Sequence, residues 1–327
     1  MWSTEASGGH GLVRFNVVTG CSVTTVVRTR RKMNLPASHV SEMRSAIELL
    51  LERTSVFIGS CPDNPIKGST LDQDLTSASR PKSITTALSF GDLALEFAAD
   101  HLSAFARLLS EPVDTMACFT CIRSMLEMTA IGAWVLDPAL TSHDRIARVF
   151  AIRFDAIDQQ LKFGRCISVD PQQIQSLEAR LLNIEREAIG LGYKQLRNKK
   201  NSMIGIAVLM PGATDMIRDV LNDEWLYRLL SGVAHGHHWA IVQLGFQDAS
   251  KNAGPMSVGG ISVTPYEKKV YVDGLALVGL HGFLAFARLI WNNAHYYGRD
   301  LLLLEEILED VSDKMNAKPT VRFWRSP

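Results

Sequence analysis

The sequence predicts an all-α fold: a helical bundle with one small irregular or β-hairpin insertion. Three observations carry this. Apolar residues recur at three- and four-residue spacing along successive long segments. Helix-starting and helix-stopping residues punctuate those segments, and nothing alternates strand with helix as a βαβ fold requires. Leu, Ala, Met, Arg and Glu are plentiful while aromatics make up only 8%, a balance that favours helix.

The first helix is expected from Ser38 to about Ser60, where Val40, Met43, Ile47, Leu50, Leu51, Val56 and Phe57 make a helical pattern. Residues 61–82 are rich in Ser, Pro, Asp and Thr and read as a loop. Pro81 opens a helix over about 83–110, with Leu88, Leu93, Leu95, Phe97, Leu102, Phe105 and Leu108 as its inner residues, broken by Glu111-Pro112. A third covers about 113–136 and stops at Asp137-Pro138. A fourth covers about 142–164. A fifth starts on Asp170 as cap with Pro171 at its first position, and ends at Gly190 and Gly192.

Lys194–Asn201 reads as a basic connector, followed by a short helix near 213–221 and another at about 223–235 with Asn222 as its cap and Gly236 as its stop. Residues 246–268 are the longest irregular stretch, with a turn at Gly259-Gly260. Lys268–Val272 is a candidate strand, paired with Ile241–Phe246. A long helix over about 273–297 and a shorter one from Leu301 complete the bundle. One domain is therefore expected over 38–316, with the insertion at 237–272 and a polar tail at 317–327. Residues 1–37 are set outside the fold, as disordered or mis-assigned. Their acid-poor, Arg-bearing composition suits either a transit peptide or an over-extended start with initiation at Met33.

The formal net charge is zero, but residues 1–32 carry five cations against Glu5, a net +4, which leaves −4 on the remainder. A mildly acidic body argues against non-specific nucleic-acid binding, and no DNA-binding motif is present. Five cysteines with uneven spacing form no disulfide framework, which points to a reducing, cytoplasmic setting. The apolar run Leu275–Trp291 contains His281 and Arg288 and reads as a buried helix, so no membrane association is expected. Walker loops, Gly-x-Gly-x-x-Gly turns and Gly-x-Ser-x-Gly elbows are missing, and no cofactor is called for.

The candidate chemistry centres on Arg228, Ser231 and His235. At about 100° per residue, Arg228 and His235 stand almost two full turns apart and share a face, with Ser231 between them. A guanidinium can hold phosphate through paired hydrogen bonds. A histidine at a helix C-terminus can move a proton near neutral pH. The same stripe also suits a buried polar cluster that only specifies packing. Arg123 and Glu127, one turn apart on an apolar helix, are expected to be buried, with Glu127 facing Arg228 or Arg123 beside it. Arg145, Arg148 and Arg153 offer a positive field or else a solvated face. Cys118-Phe-Thr-Cys121 lies inside a helix and reads as core filling. His235, His237 and His238 lack a carboxylate or cysteine at ligand spacing, so no metal site is expected.

Arg123-x-x-x-Glu127 with the Trp134-x-Leu136-x-Pro138 ending, then Arg145-x-x-Arg148, then Ser231-x-x-x-His235-Gly236, together resemble a set of bacterial all-helical proteins similar to the HEPN superfamily. That superfamily carries an Arg, four to six intervening residues and a His on one helix, and Arg228 and His235 have six between them. The position after the Arg, usually polar in active members, is Leu229 here. The resemblance covers about residues 85–300. It implies a metal-independent endoribonuclease of toxin or defence type, working as a homodimer on RNA, with Arg228 on the phosphate and His235 as acid or base. The alternatives are a non-catalytic helical module that binds another protein, and a helical enzyme for a small anionic ligand.

Overall fold

The structure is a computed structural model that describes residues 12–19, 22–29, 38–60, 65–77, 81–110, 113–248, 256–258, 261–263, 266–268 and 271–315. Cys21, Cys61, the Gly259-Gly260 turn, Met33 and the tail at 317–327 lie outside the described residues. The fold is an all-α bundle with small hairpins. Its helices in chain order are α1 (Ser38–Gly59), α2 (Thr70–Ser77), α3 (Pro81–Leu108), α4 (Thr115–Val135), α5 (Ser142–Cys166) and α6 (Pro171–Gly190). After them come α7 (Ala213–Met216), which runs into a π-helical turn (Ile217–Leu221), then α8 (Glu224–Ala234), α9 (His238–Gly245), α10 (Val272–Tyr297) and α11 (Leu301–Lys314).

Among the described residues, four antiparallel two-stranded ladders accompany the helices. The N-terminal one pairs β1 (Leu12–Thr19) with β2 (Ser22–Thr29), within a stretch that the sequence reading set outside the fold. Its β-branched residues, consecutive over 17–19 and 23–27, suit a strand conformation. β3 (Gln195–Arg197) and β4 (Met203–Ile206) turn the basic connector into a hairpin. In the insertion, β5 (Phe246–Asp248) pairs with β8 (Tyr266–Lys268), and β6 (Met256–Val258) with β7 (Ile261–Val263). The insertion therefore begins with a helix: of the expected strand over Ile241–Phe246, residues 241–245 belong to α9, because Ala240 and Leu244, one turn apart, both bury against the bundle, while Phe246 opens β5 and pairs with Lys268 as expected.

α4 is apolar over most of its surface, Arg123 and Glu127 apart, and joins two cores. The larger is built from α1, α3, α4, α8, α10 and α11, with Leu102, Phe105, Phe119, Leu230, Phe283 and Leu308 among its sealed side chains. The smaller is built on α5, with Phe150, Phe154 and Ile157 packed against Ile84, Ile184 and Tyr193. α3 and α4 meet through small residues. A Cβ added at Gly132 would stand 2.6 Å from the Ala94 Cβ and 2.8 Å from a Leu289 methyl. This contact reverses part of the expected face of α3: Ala94 and Ala98 point inward, while Leu93 and Phe97 are exposed. A large side chain on that seam would hold the two backbones apart.

α2 falls where a loop was expected. Ser69 accepts from the Asp72 amide at its N-terminus, and Leu71 and Asp74 turn inward, so two buried positions suffice to seat a polar eight-residue helix. Asp170 caps as read, accepting from the Gln172 amide, and two caps that the sequence reading did not name act in the same way: Thr141 accepts from the Asp144 amide, and Asp300 from the amides of Leu302 and Leu303. Among the described residues, α10 is the one helix long and apolar enough to cross a membrane, and Phe283, Phe286, Leu289 and Ile290 on it are sealed in the larger core.

Candidate functional site

α8 presents an inner and an outer face. Leu226, Tyr227, Leu230 and Val233 bury into the larger core, which fixes the rotation of the helix. Arg228 and His235 then point outward and are exposed, and Ser231 between them is half-buried. Asp223, not Asn222, holds the position before the first turn. Asn222 takes a left-handed conformation (φ 56°) that closes the preceding π turn.

The end of α8 is locked by its backbone. The His237 amide donates to the Gly232 carbonyl at 2.8 Å and the Gly236 amide to that of Val233 at 3.0 Å, with Gly236 at φ +70°. This reciprocal pair is the Schellman motif, and the left-handed residue inside it is why glycine stands there. Gly232 lets α9 come close, since a Cβ there would meet Trp239 and Ala240, each at 2.9 Å. His235 and His237 consequently share one corner, with ring centroids 6.2 Å apart. Trp225, one turn before Arg228, and Trp239, whose ring lies against Gly232, are 37% and 45% exposed.

Arg228 pairs along its own helix, its Nε donating to Glu224 at 2.8 Å. Glu127, expected opposite Arg228, is occupied elsewhere. It pairs with Arg123 at 2.8 Å and accepts from the Tyr227 hydroxyl at 2.6 Å. Tyr227 was not singled out in the sequence; it directly precedes Arg228, about 100° around the helix, and that turn puts it on the core-facing side. Burial, then the adjacent Glu127 carboxylate, push its phenol above the ordinary tyrosine range. The Arg123–Glu127 pair is half-buried in the seam between α4 and α8, not sealed as expected.

Arg145 and Arg148 are not part of this face. Arg145 is fully buried and binds Asp74 at 3.0 Å, as well as the carbonyls of Val135, Asp137 and Leu140 beyond the end of α4. Its guanidinium lies over the Tyr296 ring, 4.3 Å from the centroid, and the Tyr296 hydroxyl donates to the same Asp74 at 2.9 Å. Arg148 donates to the Trp134 carbonyl and lies over the Trp134 ring, and its pKa is lowered by burial. Arg153 is paired with Glu187 at 2.9 Å. Of the readings offered for these arginines, neither a solvated face nor a free positive field describes Arg145. It ties α2, α5 and α10 to the C-terminal end of α4, where the helix dipole favours cations.

A histidine–carboxylate pair was also missed. His281 Nδ1 on α10 lies 2.8 Å from Asp223 at the start of α8, and the Trp225 ring meets His281 edge-on at 5.3 Å between centroids. Its trace in the sequence was His281 itself, one of two polar residues with Arg288 inside the apolar run Leu275–Trp291. Among the described residues, no three His, Cys, Asp or Glu side chains converge as a metal-ligand set. Cys118 is sealed in the core, and Cys121 packs half-buried against it with its thiol pushed up by burial.

The outer face of α8 therefore offers a guanidinium, a hydroxyl and imidazoles on one rigid helix–corner–helix unit that also carries two exposed indoles. No protein-family model, curated protein or solved structure gives a match to this chain.

Proposed function

We propose that the outer face of α8 binds and cleaves single-stranded RNA without a metal, in an intracellular protein of toxin or defence type. The observation that supports this reading is the joint exposure of Arg228 and His235 on one face, together with exposed Trp225 and Trp239. Aromatic rings beside a cation suit single-stranded nucleic acid: bases stack on the rings, at about 1–3 kcal/mol each, while the cation takes the phosphate. The residues named from the HEPN resemblance, Arg228, Ser231 and His235, lie along this face.

In the proposed reaction the RNA 2′-oxygen attacks the adjacent phosphorus and the bond to the 5′-oxygen breaks. The products are a 2′,3′-cyclic phosphate and a 5′-hydroxyl. The proton leaves the 2′-hydroxyl for a base, and the departing 5′-oxygen takes one from an acid. His235 serves as one of these groups, and Arg228 neutralises the phosphoryl oxygens, exchanging Glu224 for phosphate. A second copy of the chain, facing the first across α8, supplies the other proton-transfer group in the homodimer that the resemblance implies.

The test is cleavage of a labelled single-stranded RNA in the presence of EDTA by the wild type, Arg228→Ala and His235→Ala. Cyclic-phosphate ends from the wild type and at least a hundredfold loss in each variant are expected. Intact RNA throughout would end the proposal. The Glu224–Arg228 pair, which already compensates the cation, favours a second reading: a non-catalytic module whose exposed tryptophans anchor a protein partner.

A further inference from the structure

A separate groove runs between α3, α5 and α6, enclosing about 280 Å³. Its floor is apolar, made by buried Ile157 and Ile184 with half-buried Phe90 as one wall. Its rim is cationic, with Arg153 from α5 and Arg180 from α6 and no carboxylate among the lining residues. Arg153 is held in place by Glu187, which also accepts from Ser83. Arg180 makes no ion pair or hydrogen bond among the described residues, and Asn183 stands beside it on the rim.

We propose that this groove binds a small organic anion: a single flat ring carrying one oxyanion, either carboxylate or phosphate. The ring covers Phe90, Ile157 and Ile184, and the oxyanion meets the open fork of Arg180, whose planar donors match both oxyanion types. Cavity size sets the limit to one ring, because sites for drug-sized ligands run from about 300 to 1,000 Å³. The groove shares no residue with the outer face of α8, so the two proposals stand or fall separately.

Calorimetric titration of the full chain with phenyl phosphate and with benzoate tests this, using phenol and inorganic phosphate as the ring and the anion alone. Saturable binding of phenyl phosphate or benzoate is expected, with phenol and inorganic phosphate at least tenfold weaker. Comparing the two ring anions distinguishes phosphate from carboxylate. Arg180→Ala should weaken binding about tenfold while leaving the melting temperature unchanged, since Arg180 is exposed and unpaired. Failure of both ring anions to bind at millimolar concentration would overturn the proposal, as would equal binding by Arg180→Ala or by inorganic phosphate.

Discussion

Arg145 on α5, turned to the end of α4, and Arg228 on α8 are the same residue type on helices of the same bundle, and their surroundings give them opposite roles. Arg145 has no exposure at all, and its donors are taken by Asp74, backbone carbonyls and the Tyr296 face. Arg228 is exposed and, among the described residues, bound only to a carboxylate on its own helix. Enclosure strengthens each interaction of the first and leaves no site for a ligand. Exposure leaves the second able to exchange partners at small cost. A cation is thus a functional candidate here when its partner is replaceable, not when its field is strongest.

The largest effect that can break this comparison is at Arg145. Arg145→Met leaves Asp74 buried without its cation, and removal of one member of a buried pair costs about 3–5 kcal/mol. Urea unfolding followed by circular dichroism should show that loss. A change under 1 kcal/mol would mean that Asp74 finds another partner and that the corner is not structural. Next in size is the α3–α4 seam: Gly132→Val should cost about 1–3 kcal/mol or more through overpacking against Ala94 and Leu289.

The third effect depends on pH. Burial raises Tyr193 to about 12, with the Asp144 charge adding to it, and burial likewise raises Tyr296 and Tyr297 above the ordinary range. The unfolded chain releases phenolic protons near 10. Above that pH the unfolded state holds fewer protons than the folded one, so stability falls as pH rises, having been fully present below about pH 10. Alkaline unfolding should therefore begin near that value. Tyr193→Phe should make it less steep, and an unchanged profile in that variant would remove Tyr193 from the account.

Much of the bundle was legible in the sequence because its helix ends are written in single residues. Pro81, Asp170 and Gly236 each act where local geometry alone decides. What was not legible depends on partners far along the chain. α2 exists because Asp74 reaches Arg145 and Tyr296, 71 and 222 positions away. The inward turn of Ala94 in place of Leu93 follows from its contact with Gly132. For the candidate site, helical spacing placed Arg228 and His235 on a common face, but it carried no information on Glu127, which chose Tyr227. It was equally silent on His281, whose partner Asp223 lies on another helix.

The smallest expected effect on stability sharpens the comparison most. Arg228→Ala and His235→Ala remove exposed side chains whose helix is held by Leu226, Leu230 and the backbone bonds at Gly236, so each should shift unfolding by no more than about 0.5 kcal/mol. Glu224→Gln keeps the shape and frees the guanidinium. If Glu224 only compensates Arg228, this variant should bind single-stranded RNA more tightly at low salt, and the gain should vanish as salt screens the exposed charge. Weaker RNA binding by Glu224→Gln would mean that the carboxylate itself orients the cation. Unchanged binding would move the RNA contact off this face and leave the two tryptophans as anchors for a protein partner.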